Sequence, residues 1–393
     1  MFRTIALAAI ASLALTGCIK HEPYGHHTEP GPDNGGHHGG NTEEKVVLNE
    51  RSDWSIRYVN RTVWEEDGAD VEHFKTSYKG NNYYIIRLVR PDDFKDAYKS
   101  DAAAFFTYEA KCLLEKAQNE NKNFWDYPTD VYTQLITDIY LNRLRSGTWI
   151  AFMFELDSKC NVTGNYAETT FTLQEQEATG SFSKWLGDWR VSNGLVGYDI
   201  KISSIDNNFI YKIEGWECGP AVSFQMNMEY LEGEFWAPNG NLYISSQYLG
   251  TYDDEDFGHG TVDELFMGNI FDSQGLTLLT DEGLDVAVMV YQDDDHAELQ
   301  GAEVKINTDS GEYITKFHSM QYYMWAHNES KWYPYNSNVA ALPLAMTRLA
   351  GTRAADVTPS KERTATKASI HHGQPKVAQG GRNNVAKKAV RMK

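Results

Sequence analysis

Alternation of apolar and polar positions is the strongest regular signal in the chain, and it predicts strands. In Asp53-Trp54-Ser55-Ile56-Arg57-Tyr58-Val59 the period is two, that of a strand with one buried face. Residues 83–89 (Tyr-Tyr-Ile-Ile-Arg-Leu-Val) are nearly continuous in apolar side chains and predict a central strand covered on both faces. After Pro91 the period lengthens. Asp101 stands as an N-cap, and Phe105, Tyr108, Cys112 and Leu113 recur at helical spacing to about Asn119. Val131, Leu135, Ile139 and Tyr140 predict a second helix over 130–145. Strands return at 147–156 and 168–173, joined by a turn over 157–164. The pattern predicts a β-sandwich-like domain with a helical-pair insertion over residues 48–179.

Past Thr179-Gly180 the chain reads almost entirely as short strands, at 185–191, 198–202, 209–213, 221–226, 242–246, 285–291 and 342–346. Turn signals separate them: Asp206-Asn207-Asn208, Gly219-Pro220 and Pro238-Asn239-Gly240-Asn241. Residues 320–325 alternate so weakly that both faces of that strand are expected to be covered. Many short strands at roughly ten-residue spacing predict an antiparallel β-barrel or sandwich over 180–350.

The ends of the chain have a different character. Arg3 precedes an apolar run over 5–15 that is too short to span a bilayer, which takes about 20 residues. Leu15-Thr16-Gly17-Cys18 resembles the bacterial lipobox, so 1–17 is expected to be a signal peptide and Cys18 the lipidated first residue of an exported protein. Residues 18–47 are rich in Gly, Pro and His. They are expected to form a disordered tether reaching roughly 25–30 Å by random-coil scaling. The paired histidines His26-His27 and His37-His38 have no geometry imposed on them that would select a metal.

The formal net charge is −19, but from Ala354 to Lys393 nine Lys or Arg face two acidic residues, leaving about −26 on the rest. An acidic body excludes nucleic acid as the main partner, since phosphate binding needs a positive footprint. The basic, aromatic-free tail over 351–393 is expected to be disordered. Beyond Cys18, the cysteines are Cys112, Cys160 and Cys218, so one disulfide at most is expected.

No zincin, nucleophile-elbow or phosphate-loop motif occurs, and no cofactor is implied. Asp253, Asp254 and Asp256 with His259 form a candidate calcium loop that lacks the usual alternating spacing; Asp293-Asp294-Asp295 beside His296 is a second acidic cluster. The favoured reading of each is a solvated turn between strands. Trp216, Trp236, Tyr243, Tyr248, Trp325 and Trp332 are the candidate ligand-binding residues, since aromatic faces at a barrel mouth can stack on a sugar or line an apolar pocket. They can also simply fill the barrel core.

Phe182-Ser183-Lys184-Trp185-Leu186-Gly187-Asp188-Trp189, with Tyr211-Lys212-Ile213-Glu214-Gly215-Trp216 and the closing 343–348, is similar to lipocalin-like barrel domains in surface lipoproteins of gut Bacteroidota. Trp149 to Phe154 and Cys160-Asn161-Val162-Thr163-Gly164 resemble the fibronectin-like partner domain of those proteins, with Cys160 where Gly is usual. The resemblance implies a lipocalin-like β-barrel and an outer-membrane location, periplasmic or surface-exposed, and implies no activity. The expected function is a non-enzymatic binding or assembly module held to the membrane by the lipid on Cys18. A carrier of a small apolar or glycan ligand in the barrel and an unrecognised hydrolase remain open, as do any protein partners.

Overall fold

The computed structural model describes residues 46–63, 70–127, 130–194, 197–216, 230–237, 239–254, 258–272, 275–279, 283–308, 311–334, 341–350, 385–386 and 389–391. The chain divides between Gln174 and Glu175 into two compact units.

In the first unit the elements run β1 (Asn49–Glu50), β2 (Ser55–Val63), β3 (Asp70–Ser77), β4 (Tyr83–Val89), α1 (Pro91–Tyr98), α2 (Ala102–Asn119), β5 (Val131–Tyr132), β6 (Asp138–Asn142), β7 (Gly147–Leu156) and β8 (Val162–Leu173). They form a five-stranded sheet, β1-β8-β7-β4-β5, and a three-stranded sheet, β2-β3-β6. Alternate residues of β4 serve two cores. Tyr84, Ile86 and Leu88 pack with Ile56, Phe74 and Ile139 of the facing sheet, while Ile85 and Val89 pack with Phe94, Phe105, Phe106 and Leu113 of the helices. Phe106 stacks on Phe154 at 4.3 Å. The unit is therefore β-sandwich-like with a helical-pair insertion covering one outer face.

The pair is not the one expected. Its helices are α1, begun by Pro91 with Asp92 and Asp93 in its first turn, and α2, whose N-cap Asp101 accepts hydrogen bonds from the Ala103 and Ala104 amides. The predicted helix over 130–145 is two strands. Val131 and Ile139 belong to different cores and Leu135 is exposed, so their helical spacing is the accident of two short strands separated by a turn.

Four buried charges hold α2 to the sheet. Arg87 Nε donates to Glu109 Oε2 at 2.7 Å, Arg87 Nη1 lies 3.8 Å from Asp130 Oδ1, and Lys116 Nζ donates to Asp130 Oδ2 at 3.4 Å. Burial pulls the Lys116 ammonium below its usual range, against the opposing pull of Asp130. Two positive and two negative groups together offset a desolvation that none would survive alone. Cys160 sits beside this layer in left-handed backbone (φ 67°), where a glycine would carry no Cβ penalty. Its buried thiol donates to Ala110 O and is pushed by burial up to about 12. No disulfide joins it to Cys112, which is half-buried on α2.

Glu155, at the end of β7, accepts from Tyr78 OH at 2.6 Å, Thr163 Oγ1 at 2.7 Å and Asn165 Nδ2 at 2.9 Å. Burial would raise its carboxyl, but these donors hold it below the usual carboxylate range. A depressed carboxylate contributes stability above its unfolded pKa of about 4.3 and loses it as pH falls through the folded value. Glu155→Gln is expected to destabilise the protein at pH 7 by about 1–3 kcal/mol and to flatten the loss of stability below about pH 4.3. Urea denaturation between pH 3 and pH 7 checks this, and an unchanged acid limb would contradict it.

The second unit opens with α3 (Gly180–Ser183) and continues through β9 (Gly187–Ser192), β10 (Gly197–Asp206), β11 (Ile210–Glu214), β12 (Leu231–Trp236), β13 (Asn241–Ser245), β14 (Gln247–Asp254), β15 (Gly260–Asp272), β16 (Gly275–Leu279), β17 (Asp285–Tyr291), β18 (His296–Gly301), β19 (Glu303–Thr308), β20 (Gly311–Lys316), β21 (Ser319–Ala326), β22 (Lys331–Pro334), β23 (Leu344–Arg348), β24 (Val385–Ala386) and β25 (Ala389–Arg391). Strands β10-β11-β12-β13-β17-β18-β23-β9 close into a barrel in which every neighbouring pair is antiparallel. Strand order follows chain order once β14–β16 and β19–β22 are set aside, so this is a lipocalin-like, up-and-down antiparallel β-barrel. Trp189, Val191, Ile200, Ile213, Leu231, Phe235, Leu242, Ile244, Met289, Leu299 and Met346 are buried in one contiguous apolar cluster. Eight strands leave an interior that such side chains can fill.

At the end where β9 begins, α3 and Trp185 close the barrel. Phe182 stacks on Tyr211 at 4.1 Å, Trp185 Nε1 donates to Gly240 O at 2.9 Å, and Trp189 Nε1 donates to Trp185 O at 3.0 Å. Arg348, the last residue of β23, lies with its guanidinium carbon 4.2 Å from the centre of the Trp189 ring. It donates to Leu186 O at 2.8 Å, Asp294 O at 2.7 Å and Lys184 O. A planar fork on an indole face serves three carbonyls that no lysine could reach together. Arg348→Ala is expected to lower the stability of this unit by roughly 2–4 kcal/mol, with Arg348→Lys recovering less than half. Urea unfolding followed by tryptophan fluorescence measures it, and full recovery by lysine would refute the fork.

Both long excursions lie at the opposite end. β15 and β21 pair over eight register positions, Val262↔Ala326 to Asn269↔Ser319, in an accessory sheet ordered β22-β21-β15-β16-β25, with β14 added on β15. Its barrel-side face sends Phe266, Ile270, Met320 and Tyr322 into the barrel cluster. Phe317 is wedged there, where a Cβ on Gly268 would lie 2.3 Å from its ring and one on Gly301 1.8 Å from its carbonyl oxygen. Both faces of β21 are buried, as its weak alternation predicts. The tail differs from expectation: Val385–Ala386 pairs in parallel with β19, and Ala389–Arg391 pairs with β16. Edge strands offer unpaired backbone groups, and short Ala/Val segments can satisfy them.

Candidate functional site

The six aromatic candidates separate into three places. Trp216 is buried in the barrel cluster, edge-on to Tyr198 (5.6 Å) and Phe266 (5.9 Å), and Phe266 is edge-on to Tyr322 (5.3 Å). This aromatic chain packs across the end of the barrel where a mouth was expected. Trp236 and Tyr243 alternate with the inward residues Phe235, Leu242 and Ile244, so they lie on the barrel's outer wall, where Asn239 Nδ2 donates to Tyr243 OH at 2.9 Å. Only Tyr248, Trp325 and Trp332 come together, half-buried around Leu265, Met267, Leu278 and Tyr323 on the face of the accessory sheet turned away from the barrel cluster.

Register makes a site of that face. Thr251 pairs with Asp263, Asp263 with Trp325, and Trp325 with Trp332, a single row across β14, β15, β21 and β22. The two indoles have centroids 5.0 Å apart, tilted by 51°. Beside them Thr251 Oγ1 donates to Asp263 Oδ1 at 2.5 Å and is hydrogen-bonded to Tyr248 OH. His327 Nε2 lies 3.0 Å from Asp263 Oδ2. Further along the same face, Tyr323 OH donates to Asn269 Oδ1 at 2.5 Å and Asn269 Nδ2 to Ser319 Oγ at 3.3 Å. The row thus carries apolar rings alongside a carboxylate, an imidazole and hydroxyls.

No family model, curated protein or solved structure matches the chain. The chemistry of this row therefore has to be read from its own residues. Thr251, Asp263 and His327 were not among the residues singled out in the sequence. The local sequence offered little hint: Asp263 stands beside a second carboxylate, Glu264, at the head of the apolar stretch Leu265-Phe266-Met267.

Of the four calcium candidates, Asp253 and His259 have described side chains, and each is bound to a different neighbour. Asp253 accepts from Thr261 Oγ1 at 2.8 Å, and Asp254 is paired with Gly260 at the end of β14. Asp256 lies outside the described residues, as do Cys18, Cys218 and the paired histidines. His259 is engaged elsewhere: its Nδ1 is 2.7 Å from Glu329 and its ring stacks on Tyr333 at 4.1 Å. The second acidic cluster is the β17–β18 turn, where Asp293 Oδ1 takes the Asp295 amide and His296 Nδ1, and Tyr291 OH donates to Asp294. Among the described residues no group of three or more His, Cys, Asp or Glu is arranged to hold a metal. EDTA is accordingly expected to leave the melting temperature unchanged, and millimolar Ca²⁺ to raise it by less than about 2 °C, well short of the stabilisation a saturated site gives. Differential scanning fluorimetry checks this; a larger shift abolished by His259→Ala would reinstate the metal site.

Proposed function

We propose that the protein is a lipid-anchored, non-enzymatic binding module of the cell envelope, and that its binding surface is the Thr251–Asp263–Trp325–Trp332 row. The observation that carries the binding reading is that row: half-buried rings and polar groups on one sheet face. Binding sites combine this mixture, apolar surface for affinity and a few placed polar groups for orientation. The barrel interior is a poorer candidate, because its inward positions are buried apolar side chains and aromatic residues pack across both ends.

The anchor reading rests on Leu15-Thr16-Gly17-Cys18 behind a short apolar run. The resemblance to Bacteroidota surface lipoproteins supports an outer-membrane location. The acidic body, at about −26 without its tail, is suited to a role that avoids nucleic acid. No helix among the described residues is long and apolar enough to cross a membrane.

The anchor is tested in a bacterial host fed an alkyne fatty acid. The wild-type chain is expected to take up the label and to pellet with the envelope, and Cys18→Ala to lose the label and keep its signal peptide or appear in the soluble fraction. Failure of the wild-type chain to label would overturn the anchor and leave the binding surface to be judged separately.

A further inference from the structure

We infer that the row binds a neutral glycan, with a sugar ring against Trp325 or Trp332 and its hydroxyls on Asp263, Thr251 and His327. This deepens the binding-module reading above and rests on it. The row spans four strands, about 14 Å at the usual strand spacing, the dimension of a short oligosaccharide lying flat. A sugar presents both chemistries that the row displays. Its C–H faces are apolar and polarised toward an indole face, whose π-system is negative. Its hydroxyls both donate and accept, matching a carboxylate that accepts at several lone pairs, a hydroxyl that does both, and an imidazole.

Other ligand classes fit less well. A purely apolar ligand would bury the Asp263–His327 pair and the Thr251 hydroxyl without returning any hydrogen bond, a cost of about 1–3 kcal/mol for each polar group left unsatisfied. An anionic ligand would meet Asp263 within the row and the negative field of the whole body. A cation would find the two indoles, but two rings tilted by 51° do not make a cage.

The test is affinity electrophoresis of the purified full-length chain in gels holding a neutral glucan, mannan, xylan or galactan, with tryptophan fluorescence on the matching oligosaccharides. At least one of the four polysaccharides is expected to retard the chain. Trp325→Ala and Trp332→Ala should each weaken retardation on the order of ten-fold, the loss usual for truncating a central aromatic contact. Asp263→Asn, which preserves the side chain's shape, should weaken it several-fold, and Trp236→Ala on the outer barrel wall should leave it unchanged. Melting curves for each variant separate lost binding from lost fold. Absence of retardation in all four gels would overturn the glycan class, as would retardation indifferent to both tryptophan substitutions. If a quaternary ammonium probe or a fatty acid instead quenches the same tryptophans, the surface binds and only the glycan assignment fails. If no probe perturbs them, the binding-module reading fails with it.

Discussion

The second unit depends on one residue at the closed end of its barrel. Arg348 lies over Trp189 and donates to carbonyls at the end of α3 and in the β17–β18 turn. A barrel formed by consecutive hairpins has one long-range closure, the pairing of its last strand with its first, and here β23 meets β9 where Arg348 faces Trp189. Closure therefore brings together a guanidinium and an indole that are far apart in the chain, and their interaction secures the helix that caps the barrel. Everything inserted between β13 and β23 is held on that frame.

With the closed end secured, the opposite end is free to carry insertions. The two excursions pair with each other through β15 and β21 and bury one face in the barrel cluster. Their other face belongs to no barrel strand and carries a second apolar cluster, with Tyr248, Trp325 and Trp332 half-buried against it. Phe317 and the two glycines beside it explain how the excursions dock so closely, since side chains at either glycine would occupy the wedge. Of the residues expected at a barrel mouth, Trp216 is core, Trp236 and Tyr243 lie on the outer wall, and Tyr248, Trp325 and Trp332 lie on the added sheet.

The first unit solves a different problem, that of a central strand needed by two layers. β4 feeds apolar side chains to both faces, and its one interruption, Arg87, is compensated by Glu109, Asp130 and Lys116. Burying four charges is poor evidence for stability, because apolar residues of similar volume often serve as well. Their geometric effect is more certain: a fixed position of α2 over the sheet, specified by ion pairs that tolerate no sliding.

Local order was largely legible in the amino-acid sequence. The 3.6 period marked α2, and dense apolar runs marked β4 and β7, whose two faces are both buried, and the strands β11 and β17. Asp101 announced its helix because capping is a local hydrogen-bond requirement. Legibility failed where tertiary partners rewrote the pattern. β3 was missed because Glu72, buried against Arg61 and Tyr58, stands where an apolar residue would have completed the alternation. The false helix over 130–145 arose because two strands serving different cores mimicked a single face. The candidate site was legible only as loose aromatic residues. Thr251 and Trp332 lie 81 positions apart, with Asp263 and Trp325 between them, and strand register, set by packing of the opposite face against the barrel, is what aligns the four. Composition and period determine which segments become strands and helices; which side chains from distant strands share a row is decided only by the pairing that buries the core.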